Sequence, residues 1–400
     1  GMAQLNKPMD FVTILEELRS SGLYEQAGGK EYLAQLAQTV PSVANVGYYA
    51  NVVYEKSLIR SLIKAGREIA SSATEGEGTA ELLLDAAEQK IYNIRQGQEN
   101  SDLVMIKDIL ATETIDHLSA LDDPEQRKKL AGIPTGFSDV DSIIGGLNKS
   151  DLIIVGARPG MGKTSFILNL ARNAAKAGKR VAFFSLEMPA ESLMKRLLSA
   201  KSQVEGNKLR GGNISDDELN RLNEAGNELG AAKIFIDDSA SIKVSQIFSK
   251  CRKLMSEYGL SLIVIDYLQL ISGSGRGGGD NRQQEVSEIS RNLKILAKEM
   301  NCPVIALSQL SRSVEQRTDK QPMLSDLRES GAIEQDADIV MFLYREDYYK
   351  KTSEQEERSD INEVVDLNLA KHRNGSVGHV SLVFNKSISA FYNHIDEGGY

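Results

Sequence analysis

The sequence predicts an α/β protein whose mostly parallel sheet ends in a hairpin and follows an all-helical N-terminal region. Three observations predict this fold class. A glycine-rich turn joins an apolar run to a helix within residues 152–170. From residue 133 onward, apolar runs alternate with helical segments, which is typical of a parallel sheet covered on both faces. Residues 8–100 instead carry apolar residues at helical spacing.

The glycine-rich turn is a phosphate-binding loop that ends in Gly162-Lys163-Thr164. In such loops, backbone N–H groups wrap a phosphate, the lysine faces the β/γ-phosphates and the hydroxyl can bind Mg²⁺. The N-terminus of the following helix adds partial positive charge. Ala157 stands where the strict pattern has glycine, at its most tolerant position. We therefore predict a nucleoside triphosphate and Mg²⁺ as ligands, with nucleotide contacts from Arg158, Gly160, Gly162, Lys163, Thr164 and Ser165.

Composition limits the alternatives. The 400 residues are enough for two or three domains. The net charge of −9 argues against a broad basic face, although a few cations lining a channel could still bind nucleic acid. No apolar run approaches the roughly 20 residues that span a bilayer, and no secretory signal is present. We expect a cytoplasmic protein without a membrane partner, in which Cys251 and Cys302 are core residues.

Three segments follow from these patterns: a helical domain over 1–100, a linker over 101–131 and an α/β domain over 132–400. Residues 71–79 are polar and contain glycine, which predicts a loop between two helices. The linker carries an amphipathic helix, which could pack on its own domain or dock on a neighbouring subunit.

The α/β domain has six apolar runs of strand type, at 152–155, 181–185, 234–236, 262–265, 304–307 and 339–343. Two further strands, 364–371 and 376–384, flank Asn374-Gly375, which is a hairpin turn signal. The charged run 346–363 is interpreted as a solvated insertion.

Polar residues follow three of these runs. Asp266 ends a strand and could hold Mg²⁺ beside the phosphate loop. Glu187 could polarise the attacking water, or equally complement the dipole of the next helix. Gln309 could contact the γ-phosphate, or be an ordinary loop residue.

Cations at loops are the remaining candidates. Lys371 and Arg373 flank the hairpin tip and could reach another subunit's nucleotide, although a solvated tip is the default. The glycine-rich loop 273–282 carries Arg276 and Arg282 and is either a surface loop or a contact to a polyanion. Arg328, close to Gly331, could contact a phosphate or form a local salt bridge at a helix end.

In this order, these elements resemble the DnaB-type replicative DNA helicases of bacteria, which have a RecA-like P-loop ATPase motor. The resemblance covers nearly the whole chain and rests on residues 132–137, 145–147, 157–164, 185–188, 265–270, 306–312, 325–338 and 371–375. Of these segments, only the phosphate loop would be specific by itself.

The resemblance implies a role for each candidate. Lys163 and Thr164 would bind phosphate and Mg²⁺, with Asp266 completing the metal site. Glu187 would be the catalytic base and Gln309 the γ-phosphate sensor. Lys371 and Arg373 would act on the adjacent subunit, while the loop with Arg328, Glu329 and Gly331 would grip single-stranded DNA.

The resemblance also implies an ATP-driven helicase that forms a ring of six around one strand, moves 5′ to 3′ and unwinds duplex at the replication fork. Primase and a helicase loader are its expected partners. In the family, the N-terminal domain usually begins before the segment that matches residues 8–51. We therefore expect this chain to lack the first helices of that domain.

Two alternatives remain. A RecA-like recombinase would bind the same nucleotide but form a filament; the helical region and linker favour the helicase. A scaffold that binds nucleotide without hydrolysing it is disfavoured by the presence of both Glu187 and Arg373.

Overall fold

The computed structural model describes residues 46–76, 79–95, 131–272, 282–327, 331–350 and 361–394, together with a few isolated positions before residue 107. The chain divides into two compact units, Gly1–Asp102 and Leu103–Tyr400. Each unit is described by itself. Most of the expected linker helix lies outside the described residues.

The described part of the N-terminal unit is a pair of helices, α1 (Val46–Glu75) and α2 (Ala80–Arg95). Lys90 of α2 contacts Glu68 of α1 at 2.7 Å. The expected loop over 71–79 is wrong in its first half, because α1 continues to Glu75. The hydroxyls of Ser72 and Thr74 donate to carbonyls four residues earlier, so these polar side chains are satisfied inside the helix.

The C-terminal unit carries the α/β fold. Its helices are α3 (Ser138–Ile144), α4 (Lys163–Lys176), α5 (Ala190–Ser202), α6 (Gly206–Gly211), α7 (Asp216–Ala231), α8 (Val244–Glu257), α9 (Arg282–Met300), α10 (Gly331–Asp336) and α11 (Glu346–Lys350). Its strands are β1 (Leu152–Ala157), β2 (Val181–Ser185), β3 (Ile234–Asp237), β4 (Ile242–Lys243), β5 (Leu262–Asp266), β6 (Ile271–Ser272), β7 (Val304–Gln309), β8 (Ile339–Tyr344), β9 (Asn362–His372), β10 (Gly378–Asn385) and β11 (Ala390–Asn393).

Nine of the described strands form one mixed sheet in the order β11-β10-β9-β8-β1-β7-β5-β2-β3. The strands from β8 to β3 in that order are parallel, whereas β9, β10 and β11 are antiparallel. The six apolar runs and the hairpin are therefore confirmed. The short strand β11 was not predicted.

Burial explains why the parallel strands read as continuous apolar runs. Every residue of β1, β2, β5 and β8 is buried. Phe166 of α4 is fully buried against Phe137 and Phe391, with ring centroids 5.5 Å apart in both pairs. This packing fixes the start of α4, and with it the phosphate-binding loop, against the sheet.

Gly156 lies in the centre of the sheet on β1, between Ser308 of β7 and Phe342 of β8. A Cβ atom at Gly156 would lie 2.9 Å from two ring carbons of Phe342 and 3.0 Å from Leu310 Cδ2. The close approach of this ring requires glycine.

We expect Gly156→Ala to lower the free energy of unfolding by about 1–3 kcal/mol, because the added methyl overpacks the core. The matched control is Gly226→Ala on exposed α7, where nothing lies within 4 Å. That change should raise stability by about 0.5–1 kcal/mol through helix propensity. Urea unfolding of both variants checks the pair, and equal stability would contradict the packing argument.

Candidate active site

The carboxyl ends of the parallel strands surround a cavity of about 560 Å³. Because parallel strands end at one edge of the sheet, their terminal polar residues converge there. The residues lining the cavity are Arg158, Pro159, Gly160, Gly162, Lys163, Thr164, Ser165, Glu187, Met188, Arg196, Tyr267, Gln309, Arg345, Tyr348, Phe384, Lys386 and Ser389.

The phosphate-binding loop has the geometry that its sequence predicts. Gly162 has φ +94° and forms the N-cap of α4, a conformation that favours glycine. Lys163 is the first residue of α4, and its Nζ donates to the Ser308 carbonyl at 3.3 Å. Burial lowers the pKa of Lys163 to about 8, while the nearby Asp266 and Glu187 oppose that shift. A bound polyphosphate would add negative charge beside Lys163 and so favour its charged form.

Thr164 and Asp266 are joined directly. The Thr164 hydroxyl donates to Asp266 Oδ2 at 2.8 Å, which links α4 to the end of β5. Asp266 is buried, and this burial raises the pKa of its carboxyl. One hydroxyl and one carboxylate side by side are hard oxygen ligands of the kind that Mg²⁺ prefers. The residues present therefore fit a magnesium ion.

Glu187 and Gln309 line the same cavity from two other strand ends. Glu187 is exposed and follows β2, three residues before α5 begins. Gln309 ends β7, and its backbone N–H donates to Gln269 Oε1 at 3.3 Å. The fold thus brings both predicted residues to the phosphate-binding loop.

Arg158 also lines the cavity, but its guanidinium is engaged. It donates to the Leu310 carbonyl at 2.8 Å and to Glu315 at 2.9 Å. Arg196 of α5 lines the cavity as well, and sequence reasoning missed it. Burial lowers the pKa of Arg196, against the opposing effect of Asp266 and Glu187. An arginine inside an amphipathic helix carries no motif signal that could have found it.

A second cationic group that the sequence reasoning missed contains Arg345, after β8, and Lys386, after β10. Both side chains contact Glu363, whose side chain is only 1% exposed. The prediction that 346–363 is a solvated insertion is therefore wrong at Glu363, because these two cations satisfy its carboxylate inside the fold. Tyr348, from the same run, lines the cavity.

Lys371 and Arg373 bind to their own protomer at residues 334–338. Lys371 Nζ donates to the carbonyls of Glu334 and Ala337 at 2.5 and 2.8 Å. Arg373 contacts Asp338 Oδ1 at 3.3 Å and remains half exposed. Among the described residues around the cavity, neither cation belongs to the lining.

The candidate DNA-binding residues are only partly described. Arg276, Arg328 and Glu329 lie outside the described residues. Gly331 is the first residue of α10, and Arg282 is the first residue of α9 rather than part of the glycine-rich loop.

The two segments of the chain match two family models. Residues 132–393 match the DnaB-like helicase C terminal domain, and residues 1–55 match the DnaB-like helicase N terminal domain. The chain belongs to the DnaB-like helicases. The predicted fold class, a RecA-like ATPase after a helical region, is consistent with this family and is confirmed.

Two replicative DNA helicases are similar in sequence to this chain along most of their length. The chain is 50% identical to the replicative DNA helicase DnaB of Geobacillus stearothermophilus over 98% of this chain and 84% of that protein. It is 49% identical to the replicative DNA helicase DnaC of Bacillus subtilis over 97% and 83%.

Solved structures also match this chain. One of them, described as an ATPase domain, has 40% identity and a TM-score of 0.66, and covers 74% of this chain and 100% of that one. A DnaB-like replicative helicase, described with its interactions with primase, has 34% identity and a TM-score of 0.67. It covers 98% of this chain and 90% of that one. In the part of the chain that the structure describes, no helix combines the length and apolarity that crossing a membrane requires.

We expect Asp338→Ala to destabilise the C-terminal unit by about 3 kcal/mol, because it leaves the partly buried ammonium of Lys294 without its carboxylate partner. Asp338 is buried, accepts from Lys294 Nζ at 2.5 Å and accepts the Leu152 N–H at 2.8 Å. The control is Asp319→Ala, an exposed carboxylate 3.9 Å from Arg317, which should change stability by less than about 0.5 kcal/mol. Urea unfolding compares them, and an equally small effect of both changes would rule out a buried ionic role for Asp338.

Proposed function

We propose that this chain is an ATP-driven replicative DNA helicase that encircles single-stranded DNA and unwinds duplex at the fork. The observation that carries the proposal is the hydrogen bond from Thr164, which lines the cavity together with Glu187, to the buried carboxylate of Asp266. Family membership supports the same activity, since ATP hydrolysis and strand encirclement are typical of DnaB-like helicases. The protein is accordingly a P-loop ATPase and DNA helicase.

In this function, Lys163 and the backbone around Gly160 and Gly162 hold the triphosphate. The ammonium of Lys163 stabilises negative charge on the β/γ-phosphates, and its burial strengthens that interaction. Thr164 and Asp266 would hold Mg²⁺, which neutralises phosphate charge when bound.

Glu187 is the general base. Its carboxylate reaches the cavity from the end of β2 and can orient the water that attacks the γ-phosphate. Gln309 lies at the end of β7, beside Ser308, whose carbonyl accepts from Lys163. Its side-chain amide is the contact that reports whether the γ-phosphate is present.

Lys371 and Arg373 act on the neighbouring subunit's nucleotide. Their side chains contact their own protomer at 334–338 and do not belong to the described lining of their own cavity. A cation supplied in trans stabilises charge in the transition state without contributing to its own chain's pocket.

The assembly and partners extend this proposal. Six copies form a ring whose central channel holds one DNA strand through Arg328, Glu329 and Gly331, with Arg276 and Arg282 as further contacts.

Primase and a loader are the protein partners, and the cytoplasm is the compartment. A helical domain over 1–100 and a linker over 101–131 precede the motor over 132–400.

Glu187→Gln should reduce ATP hydrolysis by roughly a hundredfold or more while nucleotide still binds, because the base is not a phosphate ligand. Lys163→Ala should abolish hydrolysis by removing the cation of the phosphate-binding loop. Steady-state ATPase assays and equilibrium nucleotide binding distinguish the two variants. Normal hydrolysis by Glu187→Gln would show that the residue is only an acid near a helix end, and normal turnover by Lys163→Ala would overturn the ATPase assignment.

Arg373→Ala should bind nucleotide normally and hydrolyse it poorly, because the missing cation serves another subunit. Mixing it with Lys163→Ala subunits should restore part of the activity, since some interfaces then pair an intact Lys163 with a neighbour's Arg373. Native mass spectrometry confirms co-assembly before the ATPase assay. A co-assembled mixture as inactive as either parent would mean that Arg373 acts in cis or that hydrolysis needs every interface intact. An Arg373 guanidinium far from any neighbour's phosphate in a closed, nucleotide-bound ring would then exclude action in trans.

Arg328→Ala should weaken binding to single-stranded DNA and reduce its salt dependence by about one phosphate contact per subunit. DNA-independent ATPase should survive, since the cavity is untouched. The control is Arg291→Ala, an exposed arginine on α9. Fluorescence anisotropy over a salt series measures the slope. If the slope does not change, Arg276 and Arg282 become the principal candidates.

A further inference from the structure

The phosphate-binding loop is held from one side by a buried arginine. Arg345 Nη1 donates to the Gly160 carbonyl at 2.7 Å, across 185 positions of sequence. Arg345 follows β8 directly and is only 4% exposed. Gly160 has φ +82°, so the loop takes a left-handed conformation at the point where it is held.

Glu363 at the start of β9 holds this arginine in turn. Arg345 Nε donates to Glu363 Oε2 at 2.9 Å, and Nη2 contacts the same oxygen. The other carboxylate oxygen, Oε1, receives Lys386 Nζ. The two oxygens of one buried carboxylate are therefore shared between two cations, and both cations line the nucleotide cavity.

Aromatic rings enclose the guanidinium. Its central carbon lies 5.8 Å from the Tyr348 ring centroid and 5.4 Å from that of Phe384. A Cβ atom on Gly160 would lie 3.1 Å from Tyr348, so the same ring also packs on the loop. Away from water, a hydrogen bond from a charged donor to a carbonyl is stronger than one from a neutral donor. The planar guanidinium of Arg345 also allows little rotation.

From this geometry we propose that Arg345 is a positioning residue for the phosphate-binding loop, and that Glu363 orients it. The pair fixes the Gly160 carbonyl and so sets the loop's backbone in the conformation that receives the triphosphate. The proposal rests on the nucleotide site of the proposed function. Arg345, directly after β8, and Glu363, in β9, thus act on the nucleotide through the loop.

The test separates positioning from simple burial of charge. Replacing both members, Arg345→Met with Glu363→Leu, removes the ion pair without leaving one buried charge alone. Lys386→Met is included in every protein compared, so that a released lysine cannot bind the nucleotide. The affinity for a fluorescent ADP derivative with Mg²⁺ is measured well below each protein's melting temperature.

The expected result is about tenfold weaker nucleotide binding in the double replacement, since a charge-assisted hydrogen bond to the loop is lost. The matched control is Arg252→Met with Glu299→Leu, another shielded arginine–glutamate pair, at 2.7 Å, whose members do not line the described cavity. That control should leave the affinity within twofold.

Two outcomes overturn the inference: affinity within twofold after the Arg345 and Glu363 replacements, or an equal loss in the control pair. The first would make the pair purely structural, and the second would make the effect a general result of destabilisation. Lys163→Ala, assayed alongside, keeps the two proposals apart. If Lys163→Ala lacks ATPase but the double replacement binds normally, the positioning role fails and the ATPase assignment stands.

Discussion

The parallel register of the central strands is the constraint on which the site depends. Ala157 of β1 lies beside Gln309 of β7, and Ser185 of β2 lies beside Asp266 of β5. Because these strands run in one direction, their carboxyl ends emerge together. A slip of one residue in any pair would shift the polar residue at the strand end by about 3.3 Å and turn it to the opposite face of the sheet. The burial of four complete strands therefore specifies the chemistry as well as the fold.

The strands and the phosphate-binding loop were predictable because both depend on local patterns, namely apolar runs and closely spaced glycines. Glu363 was not, because its burial depends on Arg345 and Lys386, which lie 18 and 23 positions away. The extent of α1 was misjudged for a related reason. Serine and threonine suggest a loop by composition, yet their hydroxyls can bond back to the helix. The roles predicted for Glu187, Gln309 and the hairpin cations stay predictions, since the structure gives their positions alone.

The contacts that Lys371 and Arg373 make within their own protomer determine what each must give up to act on a neighbouring subunit. Lys371 binds carbonyls at the end of α10, where the helix dipole favours positive charge. Arg373 is bound to Asp338, which also accepts from Lys294. Acting on a neighbouring subunit requires Arg373 to exchange this carboxylate for a phosphate. Its half-exposed side chain makes the exchange inexpensive, and Lys294 continues to neutralise Asp338.

The two edges of the large sheet have a consequence for self-association. Within the described residues, the edge strands β3 and β11 are four residues long each, and Asp237 at the end of β3 contacts Lys250. Such short edges offer few unpaired backbone groups to another strand. Pairing of the edge strands of two copies would therefore form few backbone hydrogen bonds. Any contact between copies at these edges would rely on side chains more than on backbone hydrogen bonds.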